Sequence, residues 1–359
     1  MTEPLRLFVD PDSKILGLHH IPLFYSLWGV PEKKKSLYDI PLMRHTWDTS
    51  CFTFVDVPEE AEFVLLPYDY WQLKRSHPEL LAIYTKIAHA AQKPLLIDAS
   101  GDAAGVVDVP GALVLRINQY RFELPEYEVT VPVPCEDLLE SYYETTLQLR
   151  QKSETPSVGF VGWGAMSVKQ YVRSFIKEIP VRIRGIFDTR YRAKQKGVFW
   201  RERAVRVFQK SSRLVTSFII RSSYSGHVQT VVGDSSKNRR EFVENIFNTD
   251  YTLIVRGDAN AATRFYEALS LGRIPVFIDT ACVLPLEHLV DYREFCVFID
   301  FKDIDQAPDI LADFHARLSE KEFIAMQQRA RYVFERYLRY DSFTPYLVSL
   351  LRSRVESPL

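Results

Sequence analysis

Cysteine is scarce and scattered: Cys51, Cys135, Cys282 and Cys296 are the only four in 359 residues, and none forms a CxxC pair. That excludes a disulfide-built scaffold and a cysteine zinc module, and it fits free buried thiols in a reducing compartment, with a Cys282–Cys296 pair left open. No run of about 18 apolar residues occurs, so no segment reads as a membrane span, and the start, MTEPLRLFVDPD, lacks the apolar core of a secretion signal. Net charge is nearly absent, with 45 basic against 46 acidic side chains, so the whole molecule has no polyanion-binding signature. Internal repeats and low-complexity tracts are also missing. These absences leave a globular, cytoplasmic protein, and 47% hydrophobic with 25% charged residues is ordinary for one.

What is present is alternation. Short β-branched or aromatic runs, LRLFV (5–9), FTFVDV (52–57), FVLLP (63–67), PLLIDAS (94–100) and ALVLRI (112–117), are separated by stretches such as PELLAIYTKIAHAAQK (78–93), whose apolar steps of three and four predict a helix. The pattern restarts with SVGFVGW (157–163), a helix over 167–179, strands at VRIRGIF (181–187) and LVTSFII (214–220) around a helix at 201–211, then TLIV (252–255), RIPVFI (273–278) and FCVFID (295–300). The stretch 129–157, proline-punctuated, then helical, then polar, reads as a linker. We therefore expect an α/β protein of two Rossmann-like domains facing a cleft: 1–155 on the acceptor side, 156–335 on the donor side, and a helical tail at 336–359 packing back on the first domain. The tail pattern is interrupted near Asp341 to Pro345. Two domains also suit the length, and open parallel sheets bind ligands at the carboxyl ends of their strands.

The most informative stretch is DYTLIVRGDANAATRFYEALSLGRIPVFIDTACVLP (250–285). It reads as strand, loop of small residues, helix, Gly272 as the residue ending the helix, and strand. A small-residue loop at a helix N-terminus leaves backbone N–H groups open to an anion, and Arg256 and Arg264 add formal charge, which suits a diphosphate. Arg264 and Glu267, three residues apart, share a helix face; a carboxylate one turn below a phosphate suits ribose hydroxyls, whereas a solvated Arg264–Glu267 pair is the plainer reading.

This segment resembles the signature of the exostosin family: an apolar strand, Arg256-Gly257, a variable loop holding Asn260, the hydroxyl residue Thr263, Arg264-Phe265, Glu267-Ala268-Leu269, Gly272, Ile274-Pro275-Val276 and Leu284-Pro285. The likeness extends more weakly over 157–300. Where the family has Cys-Pro this chain has Ile254-Val255, where it has a further cysteine this chain has Arg273, and the family's N-terminal anchor is absent from this sequence. The resemblance implies a GT-B-like fold and an inverting glycosyltransferase: a nucleotide-sugar donor, a UDP-sugar favoured, and a glycan or lipid-linked glycan acceptor. It implies donor binding by Arg256, Gly257, Asn260, Thr263, Arg264 and Glu267, with Gly162 and Arg184 added from the cleft.

Other features are less specific. GFVGWG (159–164) is a GxxGxG turn, not the dinucleotide spacing. Between Arg182 and Arg213 lie eleven Lys or Arg against Asp188 and Glu202, either a solvated face or a site for a nucleotide, a pyrophosphate lipid, an acidic glycan or RNA. That segment carries the rival reading, a non-catalytic module, although nucleic acid is not favoured as a partner; a peripheral membrane contact is allowed. The triplets Asp10-Pro-Asp12 and Asp303-Ile-Asp305 sit outside any suitable strand end, so no metal or other cofactor is expected. Inverting transfer needs a general base; Asp69, flanked by Tyr68, Tyr70 and Trp71, is the first choice, with Asp98, Asp102, His19 and His20 behind it. Asp69 equally suits a helix N-cap.

Overall fold

The computed structural model describes residues 3–15, 18, 20–29, 45–103, 105–223 and 233–356. Among them, eleven strands form two sheets, each parallel throughout. The first holds β1 (Leu5–Phe8), β2 (Phe52–Val55), β3 (Phe63–Leu65), β4 (Leu95–Asp98), β5 (Ala112–Arg116) and β6 (Glu128–Thr130), in the order β2-β1-β3-β4-β5-β6. The second holds β7 (Ser157–Trp163), β8 (Val215–Arg221), β9 (Tyr251–Ile254), β10 (Ile274–Asp279) and β11 (Val297–Asp300), ordered β11-β10-β9-β7-β8. β4, β5 and β9 are buried along their whole lengths, as strands covered on both faces must be.

The helices, in chain order, are α1 (Tyr25–Trp28), α2 (Tyr70–Ser76), α3 (Pro78–Ala90), α4 (Leu138–Tyr142), α5 (Val168–Phe187), α6 (Gly197–Lys210), α7 (Ser235–Asn248), α8 (Thr263–Ser270), α9 (Ala307–Arg317), α10 (Glu320–Val333) and α11 (Tyr340–Glu356). Two parallel sheets with helices between their strands form the expected α/β, GT-B-like arrangement.

Three sequence expectations are corrected. VRIRGIF is not a strand but the last two turns of α5. Val181, Ile183 and Phe187 alternate as strand residues do, yet over the longer window the apolar residues step by four and three. A reciprocal cap between Ser167 and Gln170 starts the helix, which continues through Pro180. VTV (129–131) is not all linker, since its first two residues close the first sheet as β6, with Val129 paired to Leu115. In the tail the break comes at Phe334–Leu338, a π-turn followed by extended Arg339, while Pro345 lies inside α11.

The tail reaches back to the first half. Tyr340 stacks on Trp47 at 4.3 Å between ring centroids, and the Arg352 guanidinium donates to both Glu62 carboxylate oxygens at 2.7 and 3.1 Å. Gly272 ends α8 as expected: its φ is +61°, its N–H donates to Leu269 O, and that of Arg273 to Ala268 O, the Schellman pattern. The Arg273 side chain is fully buried over Phe247 and donates to the carbonyls of Phe247, Gln148, Leu271 and Gly272. Burial and the nearby Arg150 charge push its pKa down to about 10. This explains how the chain uses arginine where the family it resembles has cysteine: the side chain ties four backbone acceptors together.

Candidate functional site

A cavity of about 300 Å³ opens where the carboxyl ends of β7 and β9 meet the start of α8. Its wall takes Gly162 and Trp163 from β7, Arg201 from α6, Arg239 and Phe242 from α7, Gly257, Asp258, Ala259, Ala261 and Ala262 from the loop, and Thr263, Arg264 and Glu267 from α8. Asp102, from the loop after β4, is the contribution of the first sheet. Ala262 precedes α8 without any side-chain hydrogen bond to its first turn, and the positive end of the helix dipole there favours an anion.

The Arg264 guanidinium lies over the Phe160 ring at 4.3 Å and the Phe242 ring at 5.3 Å, and one amino group donates to Val161 O. Gly162 makes room for it: its φ is +153°, and a β-carbon there would stand 2.8 Å from Arg264 Nη2. Glu267 is only 5% exposed, and its ion partner is Arg239 at 2.7 Å, not Arg264; Arg239 also reaches Glu136 at 2.8 Å. The solvated Arg264–Glu267 pair is therefore excluded by burial and geometry alike. Thr263 is exposed at the mouth, and Gly257 lets Arg201 approach to 3.2 Å of the place a β-carbon would take.

Arg256 and Asn260 have other work than facing the cavity. Arg256, 5% exposed, donates to the Tyr120 hydroxyl and to the carbonyls of Ala193, Gly257 and Asp258. Asn260 donates through Nδ2 to Gln119 O and Thr280 O, and its backbone N–H donates to Asn118 Oδ1 at 2.7 Å. With Arg121 donating to Asp279 at 2.8 Å, these bonds latch the segment after β5 onto the loop before α8 and the end of β10. Both side chains are consumed by that latch, which fixes the loop's shape. Gly197, at the start of α6, presses on the same loop so closely that a β-carbon would come within 2.1 Å of Gly257 O.

Arg184 is also misplaced by the sequence reading. It belongs to α5, not to a strand end, and stacks on Tyr191 at 4.9 Å away from the cavity. Asp69 takes the alternative role open to it: its Oδ1 accepts from Gln72 N at 2.8 Å as the N-cap of α2, and it does not line the cavity. Asp98 is buried with its Oδ1 accepting from both Ser100 N and Ser100 Oγ. His20 contacts Gly29 O, and His19 lies outside the described residues. Of the acids considered, Asp102 alone reaches the cavity. Burial, then the Asp258 charge, hold its carboxyl above the ordinary value.

Arg201 and Arg239 escaped the sequence reading. Arg201 is one of eleven basic residues in 182–213, and Arg239 sits in α7, whose sequence SSKNRREFVENIFN holds no motif that points to a binding role. Much of the basic segment is already paired: Arg190 with Asp188, Arg203 with Asp305, Arg206 with Glu202, and Arg213 with Asp309 and Asp313. One group of metal-ligand composition occurs among the described residues, His45, Asp137 and Glu140. Arg331 donates to Asp137 at 2.6 Å and Arg339 to Glu140 at 3.1 Å, so arginines already serve its carboxylates.

Comparison with known proteins matches residues 201–314 to the model of the exostosin GT47 domain. Exostosin-1 of Drosophila melanogaster is 31% identical over 100 residues, 28% of this chain and 13% of its own length. A probable arabinosyltransferase of Arabidopsis thaliana, ARAD1, is 26% identical over 108 residues, 30% of this chain and 24% of its own. The chain thus matches only a small part of these relatives' lengths. Among solved structures, Acinetobacter baumannii MurG superposes with a TM-score of 0.32 at 12% identity, covering 82% of this chain and 74% of its own. Anabaena HepE, in complex with UDP-glucose, gives 0.33 at 10%, covering 84% and 80%. These superpositions are too loose to bear on the reaction. The cavity's loop and the helix α8 lie inside the span, residues 201–314, that is similar to the exostosin GT47 domain.

Proposed function

We propose that this protein is a glycosyltransferase that moves a sugar from a nucleoside diphosphate sugar, uridine favoured, to a hydroxyl of a glycan or lipid-linked glycan, with inversion and without an essential metal. One observation carries the reading: three arginines and the uncapped start of α8 converge on one cavity, with Asp102 entering it from the other sheet.

In this scheme the diphosphate rests on the first-turn amides of α8 beside Thr263 and Gly257, with Arg264 and Arg201 against its oxygens. Glu267, held by Arg239, accepts from the ribose hydroxyls. Asp102 takes the acceptor hydroxyl proton as the new bond from acceptor oxygen to anomeric carbon forms; the bond from that carbon to the diphosphate breaks, and its electron pair leaves with the diphosphate. Charge grows on the leaving group as the bond lengthens, so cations fixed beside it stabilise the transition state more than the bound donor. A raised carboxyl is the stronger base, which suits Asp102 to its part. Arg256 and Asn260 serve as positioning residues that hold the loop.

The test is thermal unfolding with UDP, with GDP and with a polyanion, followed by a panel of nucleotide sugars scored for slow hydrolysis. Stabilisation by UDP and hydrolysis of one donor support the reading. Stabilisation by the polyanion alone would transfer the function to the basic segment 182–213.

A further inference from the structure

Among the described residues, α5 is the most exposed long helix. Over its 20 residues only Glu178 and Gly185 are buried. Those two share one side and hold the helix down: a Glu178 carboxylate oxygen accepts from Lys196 N at 2.5 Å, and Arg192 Nε donates to Gly185 O at 3.0 Å. Gly185 is needed for that contact, since a β-carbon would stand 2.9 Å from Arg192 Cγ.

Away from the anchored side runs an apolar row, Val168, Val172, Ile176, Ile179, Ile183 and Ile186, at steps of four and three, which keeps it on one face. Ile176 is 59% exposed, Ile186 71%, and Phe187 at the end 88%. A contiguous apolar row of this kind, about 30 Å long for 20 residues, marks an interaction surface in a water-soluble domain. Beside it, on the same outward side, lies a basic row, Lys169, Arg173, Lys177 and Arg184, and the only acid of the helix is the buried Glu178.

We propose that α5 lies in the surface of an anionic lipid bilayer, with the isoleucine row in the acyl boundary and the basic row among the headgroup charges. An apolar stripe bordered by Lys and Arg is the pattern of an interfacial helix, and no described helix is long and apolar enough to cross a membrane. The four-three steps would also seat a second copy of the helix. The charges argue against that occupant, because each copy brings another basic row into the seam with no exposed acid of α5 to answer it. The inference does not depend on the sugar-transfer reading, since none of the residues in either row lines the donor cavity.

The experiment is flotation of the full chain with vesicles of phosphatidylcholine alone and of phosphatidylcholine mixed with phosphatidylglycerol, alongside light scattering for its oligomeric state. The expected result is binding to the anionic vesicles at least about tenfold tighter than to the neutral ones, weakened by salt. Joint Ile176→Glu and Ile183→Glu, or joint Lys169→Glu, Arg173→Glu and Lys177→Glu, should each lower it by about tenfold or more while leaving UDP-dependent thermal stabilisation unchanged. In case the isoleucine variant does not fold, Ile183→Trp gives an independent readout: its emission should shift to the blue on adding anionic vesicles. Wild-type protein that ignores anionic vesicles, or a stable dimer that the isoleucine changes split, would overturn the proposal.

Discussion

Replacing Arg264 by alanine should cut turnover roughly a hundredfold while sparing the fold. The guanidinium is held over Phe160 and Phe242 and bonded to Val161 O, and losing these contacts costs about 1–2 kcal/mol of stability. The effect on the reaction is larger. A unit charge about 4 Å from another, at an effective dielectric of ~20, interacts by about 4 kcal/mol. Only part of the leaving-group charge is new in the transition state, so about 3 kcal/mol, or roughly a hundredfold in turnover, is the expected loss. Arg264→Lys should not restore it, because an ammonium lacks the flat face that packs between the rings and the fork that reaches both Val161 O and a phosphate. The assay is release of nucleoside diphosphate from the donor found by the hydrolysis panel, with UDP affinity by calorimetry and thermal unfolding as the fold control. Wild-type turnover and UDP affinity in a folded Arg264→Ala variant would refute the assignment.

The base can be separated from its alternative. Asp102→Asn should lower transfer about a hundredfold while donor binding stays within a few-fold, and the acid limb of the wild-type rate profile should lie above the ordinary aspartate value of 3.8 because burial raises Asp102. Asp69→Asn keeps the cap of α2 and should leave transfer intact; a hundredfold loss there would return the role to Asp69. Donor hydrolysis should persist in EDTA, and a loss restored only by manganese would replace the arginine scheme with metal assistance. His45 bonds Asp341 and Glu140, and the Asp341 bond above all raises its pKa, against the opposing effect of burial. Its contribution to stability should therefore be complete below its unfolded value of about 6.5 and be lost as pH rises through the higher folded one. Denaturant titrations should show that loss in the wild type and not in His45→Gln; an equal slope in both proteins would remove His45 from the account.

Much of the site could be read from the chain because it is local. The loop before α8, the helix and Gly272 follow one another, so a strand-end loop of small residues, a helix start and a closing glycine describe nearly all of their own geometry. The assignments that moved are those set by distant partners. Arg256 and Asn260 have the right types for anion binding, but Tyr120, Asn118 and Gln119, more than a hundred residues earlier, claim them first. Glu267 lies on the same helix as Arg264, yet its partner Arg239 comes from α7, which nothing in the local pattern links to it. α5 shows the reverse error. A short window around VRIRGIF alternates like a strand, and only the full helix, from the Ser167 cap to Phe187, reveals the period that the exposed row follows.

The central claim is that the start of α8 receives the diphosphate of a sugar donor, and a crystal structure of the protein grown with UDP tests it most directly. The account predicts the diphosphate within hydrogen-bond distance of the Thr263 and Arg264 amides, with the Arg264 guanidinium beside it and the ribose hydroxyls on Glu267. A diphosphate seated instead in the arginine-lined cavity between α5 and α6, among Arg182, Arg192 and Arg206, would contradict it.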